Sequence, residues 1–154
     1  GAVGMSVGLL FHYFASKEEL YEELIRLGIE GPISALDMRG QEPLAYFATT
    51  AEWILNMVQV EPFFAKMFVL MTQSFYSEDV PQGAKNMLKR FDIYSPTAEI
   101  MRAGQKNGSI REGDPLALAA AYWSAIQGIA ENQAMLTGLP CPKSEWIVDI
   151  IRAK

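Results

Sequence analysis

Helix-start signals recur along this sequence, and they constrain its fold more than any other feature. Asp114-Pro115 pairs a helix-capping side chain with a proline at a first-turn position, and Glu61-Pro62 and Ser95-Pro96 mark similar starts. Glycines and prolines separate the stretches between them, whereas runs of alternating apolar and polar residues, which are typical of strands, are scarce. The sequence therefore predicts an all-α protein.

The expected helices follow from this punctuation. Ser16 and Glu19 have the spacing of a capping box, in which the serine caps an amide and the glutamate reaches back. Gly31-Pro32 is expected to break the chain after the helix that this box opens. In chain order, the predicted helices run from Ser16 to near Gly28, Pro43 to about Val60, Pro62 to about Tyr76, Ala84 to Ile93, Ser95 to Asn107, Pro115 to about Leu136, and onward from Ser144 as a cap.

Composition limits the class of protein. The chain has 154 residues, of which 50% are hydrophobic and 20% charged, which excludes a disordered tail. Its formal net charge of −5 argues against nucleic-acid binding by the whole surface, but it says little about one small patch. Cys141 is the only cysteine, so an internal disulfide is impossible. No stretch reads as a signal peptide or a membrane span, so we expect a cytoplasmic protein with no membrane partner.

The first turns have the layout of a DNA-reading module. Gly4 suits a turn, and Ser6 suits the cap of a short helix that ends near Phe14. A second capped helix follows directly from Ser16. A glycine turn before a short helix matches the geometry of a helix-turn-helix, whose second helix enters the major groove.

The residues from Gly4 to Leu20 read Gly-x-Ser-x-Gly-x-Leu-Phe-His-Tyr-Phe-x-Ser-Lys-Glu-x-Leu. This pattern resembles the end of the DNA-binding domain of TetR-type transcriptional regulators. The resemblance implies that Ser6 to Phe14 is the recognition helix, and that Tyr13 and Lys17 contact DNA phosphates. It also implies that five positions lie at or near the bases and backbone, namely Ser6, Val7, Gly8, Phe11 and His12.

Several points about this segment stay open at this stage. His12 also fits an ordinary surface or half-buried ring, Tyr13 a side chain packed on the next helix, and Lys17 a solvated lysine. Val7 departs from the family pattern, because many members carry a basic residue there. The family's domain begins with helices that precede the matching residues, so we expect this chain to start inside that domain and, as given, to bind DNA poorly.

A cluster of aromatic and methionine side chains marks the middle of the chain. They form two helical stripes, Phe64, Met67, Phe68, Met71 and Phe75 on one helix, and Trp53 and Met57 on the preceding one. Such stripes fit an ordinary core or a cavity for a hydrophobic small molecule, since methionine adapts to varied ligands. The resemblance favours a ligand cavity, with Tyr94, Tyr122 and Gln127 as candidate polar anchors.

The helix from Pro115 is uncharged up to Glu131 and apolar on nearly all sides, so one neighbour cannot cover it. Its small residues Ala121, Ala125 and Gly128, together with Trp146 and Ile150 of the last helix, predict a homodimer interface, which the resemblance also implies. The alternative is a larger core within one chain.

Together these features predict two parts. Residues 1–30 are expected to form a partial helix-turn-helix DNA-binding domain, and residues 31–154 a helical effector-binding and dimerisation domain. The expected function is a ligand-responsive DNA-binding transcriptional regulator, a repressor released from its operator by a hydrophobic small molecule. The alternative is a helical sensor or carrier of hydrophobic ligands without DNA binding. No cofactor, metal site or enzyme activity is expected, because the chain offers one histidine and one distant cysteine.

Overall fold

The computed structural model describes residues 12–35 and 40–154, and within them it is built from α-helices. These are α1 (Lys17–Ala35), α2 (Pro43–Val60), α3 (Pro62–Tyr76), α4 (Gln82–Arg90), α5 (Tyr94–Lys106), α6 (Pro115–Met135) and α7 (Ser144–Ile151). This part of the chain contains no strand, only an isolated β-bridge between Ile110 and Arg152. The predicted all-α class is confirmed.

Helix α1 departs from the expectation. It continues through Gly28 and past Pro32 to Ala35, so the predicted break at Gly31-Pro32 is wrong. A proline inside a helix removes one backbone hydrogen bond, but packing of the helix can outweigh that local cost. Here Ile25 of α1 is fully buried against α3 and α4. The expected domain boundary at residues 30 and 31 therefore lies within one continuous helix.

Prolines begin the next two helices as expected. Pro43 and Pro62 each occupy a first-turn position, and the residue before each proline caps its helix. The Glu42 carboxylate accepts a hydrogen bond from the Ala45 amide at 2.9 Å, and the Glu61 carboxylate accepts one from the Phe63 amide at 3.2 Å. Helices α2 and α3 meet at a bend of 107°. Among the described helices, none alone has the length and apolar character to cross a membrane; only this bent pair passes when taken together.

The later helix starts confirm one predicted cap and correct another. The Asp114 carboxylate accepts hydrogen bonds from the amides of Leu116 and Ala117, at 2.8 and 3.2 Å, and so caps α6 as predicted. Ser144 is not a cap. It is the first helical residue of α7, Lys143 occupies the cap position, and no side chain bonds to the first amides.

Two apolar clusters hold the helices together. The larger one joins α2, α3, α5, α6 and α7, and its fully buried side chains include Phe47, Met101, Tyr122 and Ile126. The smaller one joins α1, α3 and α4 around Ile25. Since the smaller cluster packs α1 against α3 and α4, it also sets the position of the first residues of α1.

A hydrogen-bonded clasp ties the start of α2 to the turn before α6. The Glu42 carboxylate accepts hydrogen bonds from the Ser109 hydroxyl at 2.8 Å and from the side-chain amide of Asn107 at 3.0 Å. Desolvation opposes ionisation here, but these bonds and the backbone amides of α2 lower the pKa of Glu42 to about 2. The Ser109 carbonyl in turn accepts from the Ala153 amide at 3.0 Å, which holds the chain beyond α7.

Candidate functional site

The predicted DNA-reading segment enters the described structure at its last residues. His12 and Tyr13 are helical and exposed, and their rings meet edge to face with centroids 5.3 Å apart. Tyr13 is 67% exposed, so its ring does not pack on the following helix. Lys17 is also exposed, at the first position of α1. The other predicted DNA-contact residues, Ser6, Val7, Gly8 and Phe11, lie outside the described residues.

A local hydrogen-bond pair sets the junction between this segment and α1. The Ser16 hydroxyl oxygen accepts from the Glu19 amide at 3.1 Å, which confirms the predicted cap. The Glu19 carboxylate reaches back, but it accepts from the Ala15 amide at 2.6 Å, one residue earlier than a capping box predicts. The pair therefore holds both sides of the turn that separates Tyr13 from Lys17.

The acidic face of α1 is partly neutralised within the helix. The Arg26 guanidinium pairs with the carboxylates of Glu23 and Glu30. The hydrogen bond from Arg26 lowers the pKa of Glu23, against a smaller opposing effect of desolvation. Arg26 is thus engaged inside its own helix, and Lys17 is the basic residue at the end of α1 nearest the predicted DNA-contact residues.

Helix α1 contacts α3 through three residues spaced along its length. The Tyr21 hydroxyl shares a hydrogen bond with the Ser74 hydroxyl, and Ile25 packs in the same apolar cluster as Met71. Gly28 lies directly against Met71, so that a Cβ atom there would be 2.5 Å from its sulfur. The absence of a side chain at Gly28 therefore lets α1 approach α3 closely.

The end of α1 nearest Tyr13 also reaches α4. The Glu22 carboxylate lies over Gly83, where a Cβ atom would clash with it. Gly83 belongs to the first turn of α4, whose cap position makes no side-chain hydrogen bond. A carboxylate at a helix start is electrostatically favourable, so Glu22 supports this contact.

The predicted ligand stripe does not face one cavity. Met67 and Met71 point to α1 at Gly28, while Phe64 and Phe68 stack edge to face with centroids 5.5 Å apart. Phe75 is 53% exposed and lies 6.5 Å from the ring of Phe91. The periodicity correctly placed these residues on one helix, but α3 has several neighbours and divides the stripe among them.

Trp53 extends the aromatic contacts of α3 onto α2. Its ring meets Phe64 edge to face with centroids 5.5 Å apart, and 52% of the side chain is exposed. We call Trp53, Phe64 and Phe68 the aromatic row. Met57, the other predicted residue of α2, is half-buried.

Two of the three predicted polar anchors lie away from this row. Tyr122 is fully buried, and its hydroxyl donates to the Phe47 carbonyl at 2.8 Å, so it is a core residue with its hydrogen bond already made. Tyr94 is 42% exposed at the start of α5. Only Gln127 approaches the stripe: its side-chain amide donates to the Phe68 carbonyl at 3.0 Å.

Sequence reasoning missed Glu131 as a site residue, although it is the one charged residue of α6. Its carboxylate accepts from the Thr72 hydroxyl and, at 2.8 Å, from the Gln127 amide. We call Thr72, Gln127 and Glu131 the polar triad. The isolated charge at the end of an otherwise apolar helix was the signal that could have found it.

A separate cleft of about 630 Å³ lies between α2 and the start of α7. Its lining is mixed and includes the polar side chains Glu52, Asn56, Lys143 and Glu145. Of the residues predicted to bind a ligand, Trp53 alone lines this cleft. The half-buried Cys141 also borders it, and burial raises the pKa of its thiol.

The predicted dimer residues include open surface positions. Ala121 is exposed, and among the described residues no atom outside the adjacent turns of α6 lies within 4 Å of a Cβ atom built on Gly128. Trp146 is 59% exposed, whereas Ala125 and Ile150 are half-buried against the larger apolar cluster. Within residues 12–35 and 40–154, no group of histidine, cysteine, aspartate or glutamate side chains could hold a metal ion.

Comparison with known proteins gives a match for the predicted DNA-reading segment. Residues 2–24 match the family model described as bacterial regulatory proteins, tetR family, which represents a helix-turn-helix DNA-binding domain. This match supports a TetR-family regulator, that is, a DNA-binding transcriptional regulator. Members of this family are generally not enzymes. No curated protein and no solved structure gave a significant match to the chain.

The match spans the predicted DNA-contact residues and the first turns of α1. The alternative of a hydrophobic-ligand carrier without DNA binding gains no support, because it would leave this motif unexplained. The DNA contacts predicted for Tyr13 and Lys17 fit their exposure but remain predictions.

Proposed function

We propose that this protein is a ligand-responsive repressor, which a hydrophobic small molecule releases from its operator. The observation that carries the proposal is the close contact of Gly28 in α1 with Met71 in α3. The family match extends into the first turns of α1, and α3 carries the predicted ligand stripe. A ligand that displaced α3 would therefore act on the helix that holds the DNA-reading segment.

Helix α1 contacts α3 at more than one point, which suits it to follow a displacement of α3. The Tyr21–Ser74 hydrogen bond and the Gly28–Met71 contact lie about two turns apart on α1. Two separated contacts resist rotation of one helix against the other, so α1 follows a displacement of α3. An effector then needs only to favour one position of α3 over the other.

We further propose that the protein acts as a homodimer through α6 and α7. The supporting observations are the exposed Ala121 and Trp146 and the open space beside Gly128. Small residues permit close helix packing, and a large exposed tryptophan often anchors an interface. A dimer also suits helix-turn-helix proteins, whose two reading helices occupy half-sites about one helical turn apart. A change in the position of α1 would then alter the spacing of the reading helices.

Two alanine substitutions in the same helix test the proposed coupling. Gly28→Ala places a Cβ atom 2.5 Å from the Met71 sulfur, whereas Gly31→Ala meets no atom of the described residues within 4 Å. Each replaces a helical glycine by alanine, so both gain about 0.5–1 kcal/mol of helix propensity. Only Gly28→Ala forces a shift at the contact between α1 and Met71 of α3, and we expect it to imitate the effector.

The measurement is operator affinity of the full-length protein by fluorescence anisotropy, on a site obtained by binding selection. We expect Gly28→Ala to weaken DNA binding about fivefold to tenfold without effector, within the usual range of allosteric coupling. Gly31→Ala should bind like the wild type. Equal DNA affinity of both variants and the wild type would contradict coupling through the α1–α3 contact.

A further inference from the structure

A turn of three residues joins the DNA-reading segment to α1. His12 and Tyr13 are the helical residues described before this turn, and α1 begins after it at Lys17. Tyr13 is 67% exposed and Lys17 is also exposed, so both side chains are accessible to DNA. Because these two residues lie on opposite sides of the turn, its conformation sets the distance between the phenol and the ammonium group.

Two hydrogen bonds of Glu19 hold this turn. The backbone amide of Glu19 donates to the Ser16 hydroxyl oxygen at 3.1 Å, and its carboxylate accepts from the Ala15 amide at 2.6 Å. The first bond is an ordinary helix cap. The second reaches outside the helix, to the middle residue of the turn. Glu19 therefore ties α1 to a backbone group that the helix itself does not order.

The charge of Glu19 acts against DNA binding. Glu18 and Glu19 both lie in the first turn of α1, beside Lys17, and both are exposed. A carboxylate next to a phosphate contact repels DNA, because both groups are negative. A favourable role of Glu19 in DNA binding must therefore come from its hydrogen bond to Ala15 and not from its charge.

Glu18 provides the reference for this charge effect. In the described part of the chain its side chain makes no hydrogen bond and no ion pair, although it carries the same charge in the same turn. Lys17 likewise forms no ion pair within residues 12–35 and 40–154. The Glu19 carboxylate thus bonds to the Ala15 amide, while the Lys17 ammonium keeps a charge that attracts a phosphate.

We propose that Glu19 is a positioning residue for DNA binding. Through the Ala15 amide it fixes the turn, and so it holds Tyr13 and Lys17 at a constant spacing for their phosphate contacts. A turn that is ordered before DNA binds loses less conformational entropy on binding. The proposal rests on the DNA contacts predicted for Tyr13 and Lys17, and it requires neither the effector nor the dimer.

Alanine and glutamine substitutions of Glu18 and Glu19 test the proposal. Each of the four variants loses one negative charge from the first turn of α1. Only Glu19→Ala also loses the acceptor for the Ala15 amide, because glutamine keeps a side-chain carbonyl oxygen. Fluorescence anisotropy gives the operator affinity of each full-length variant over a series of salt concentrations, and circular dichroism confirms that each variant is folded.

We expect Glu18→Ala, Glu18→Gln and Glu19→Gln to bind the operator as tightly as the wild type or slightly more tightly. Glu19→Ala should bind about threefold to tenfold more weakly, as the loss of one capping hydrogen bond allows. Its affinity should also fall less steeply with salt, by the equivalent of about one phosphate contact. If Glu19→Ala bound as tightly as Glu18→Ala, or if Glu19→Gln were weakened as much as Glu19→Ala, the proposal would be overturned.

A second background separates positioning from a general loss of helix stability. In a protein that carries both Tyr13→Phe and Lys17→Ala, Glu19→Ala should have little further effect on DNA affinity, because the contacts that it positions are absent. An equal loss in both backgrounds would show that Glu19 only stabilises α1, and would overturn the proposal. Unchanged affinity and salt dependence in Tyr13→Phe and in Lys17→Ala would overturn it together with the two contacts, whereas the repressor role would stand.

Discussion

Two buried tyrosines of the larger apolar cluster provide a matched test of how its polar groups contribute to stability. Tyr122 donates a hydrogen bond to the Phe47 carbonyl at 2.8 Å, whereas the hydroxyl of Tyr46 has no hydrogen-bond partner among residues 12–35 and 40–154. Both rings pack against Phe47, with centroid distances of 4.8 and 5.1 Å. Thr50 is near enough to affect the pKa of Tyr46, but its geometry makes no hydrogen bond to the phenol oxygen.

Removing each hydroxyl should therefore have opposite effects. Tyr122→Phe loses a made hydrogen bond and should lower the free energy of unfolding by about 1–1.5 kcal/mol. Tyr46→Phe removes a hydroxyl that was desolvated without compensation, so it should be neutral or stabilise the protein by up to about 1 kcal/mol. The two variants, which lose the same atom from the same cluster, should differ by about 2 kcal/mol.

Urea unfolding followed by tryptophan fluorescence measures this difference, with equal m-values required for the comparison. A loss of stability in Tyr46→Phe as large as that in Tyr122→Phe would refute the reasoning, because it would show that the Tyr46 hydroxyl is bonded, for example to a buried water. Alkaline unfolding gives a second readout. Burial raises the pKa of both phenols, so the wild type should lose stability as the pH rises above about 10. Each variant should lose it less steeply.

Two further predictions concern the hydrogen bonds of Glu42 and the dimer. Glu42→Gln should lower the free energy of unfolding at neutral pH, measured by urea unfolding. This loss should shrink as the pH falls from 4.5 towards 2, because the folded-state pKa of Glu42 is lowered to about 2. A loss of the same size at pH 2 would contradict this. Gly128→Arg should leave the chain folded, since in the described part of the chain the added Cβ meets no atom within 4 Å. It should give a monomer in sedimentation velocity, with Gly128→Ala as the control. A dimer of undiminished affinity in Gly128→Arg would contradict the proposed interface.

Local signals explain why several helix boundaries could be predicted. Helices α2, α3 and α6 each have a proline in the first turn, where an amide N–H would have no partner within the helix. The carboxylate of the residue before each proline accepts hydrogen bonds from other first-turn amides. These effects involve only residues that are neighbours in the sequence, so they can be predicted from it. Pro32 was misjudged for the opposite reason: the packing of Ile25 against α3 and α4 that sustains α1 involves residues far away in the chain.

The candidate site could be predicted only in part, because periodicity identifies a face but not the neighbour of that face. Met71 and Phe68 belong to one predicted stripe, yet Met71 contacts Gly28 of α1 while the Phe68 carbonyl contacts Gln127 of α6. Tyr122 looked like a polar anchor, but its partner is a backbone carbonyl of α2, which no sequence pattern reveals. Glu131 gains its significance from Thr72, a residue distant in sequence.

Helix α3 contacts two neighbours on different sides, which indicates how the proposed effector acts on α1. One side of α3 meets α6 at Thr72, beside Glu131, and the other side meets α1 at Met71 and Ser74. An effector bound beside α6 would occupy the first side without touching α1. Because α1 is attached to the second side by both a hydrogen bond and a close packing contact, we expect an occupant beside α6 that shifts α3 to move α1 as well. Operator release then requires no direct contact between the effector and the DNA-reading segment, and Gly28→Ala and the effector should act on the same equilibrium.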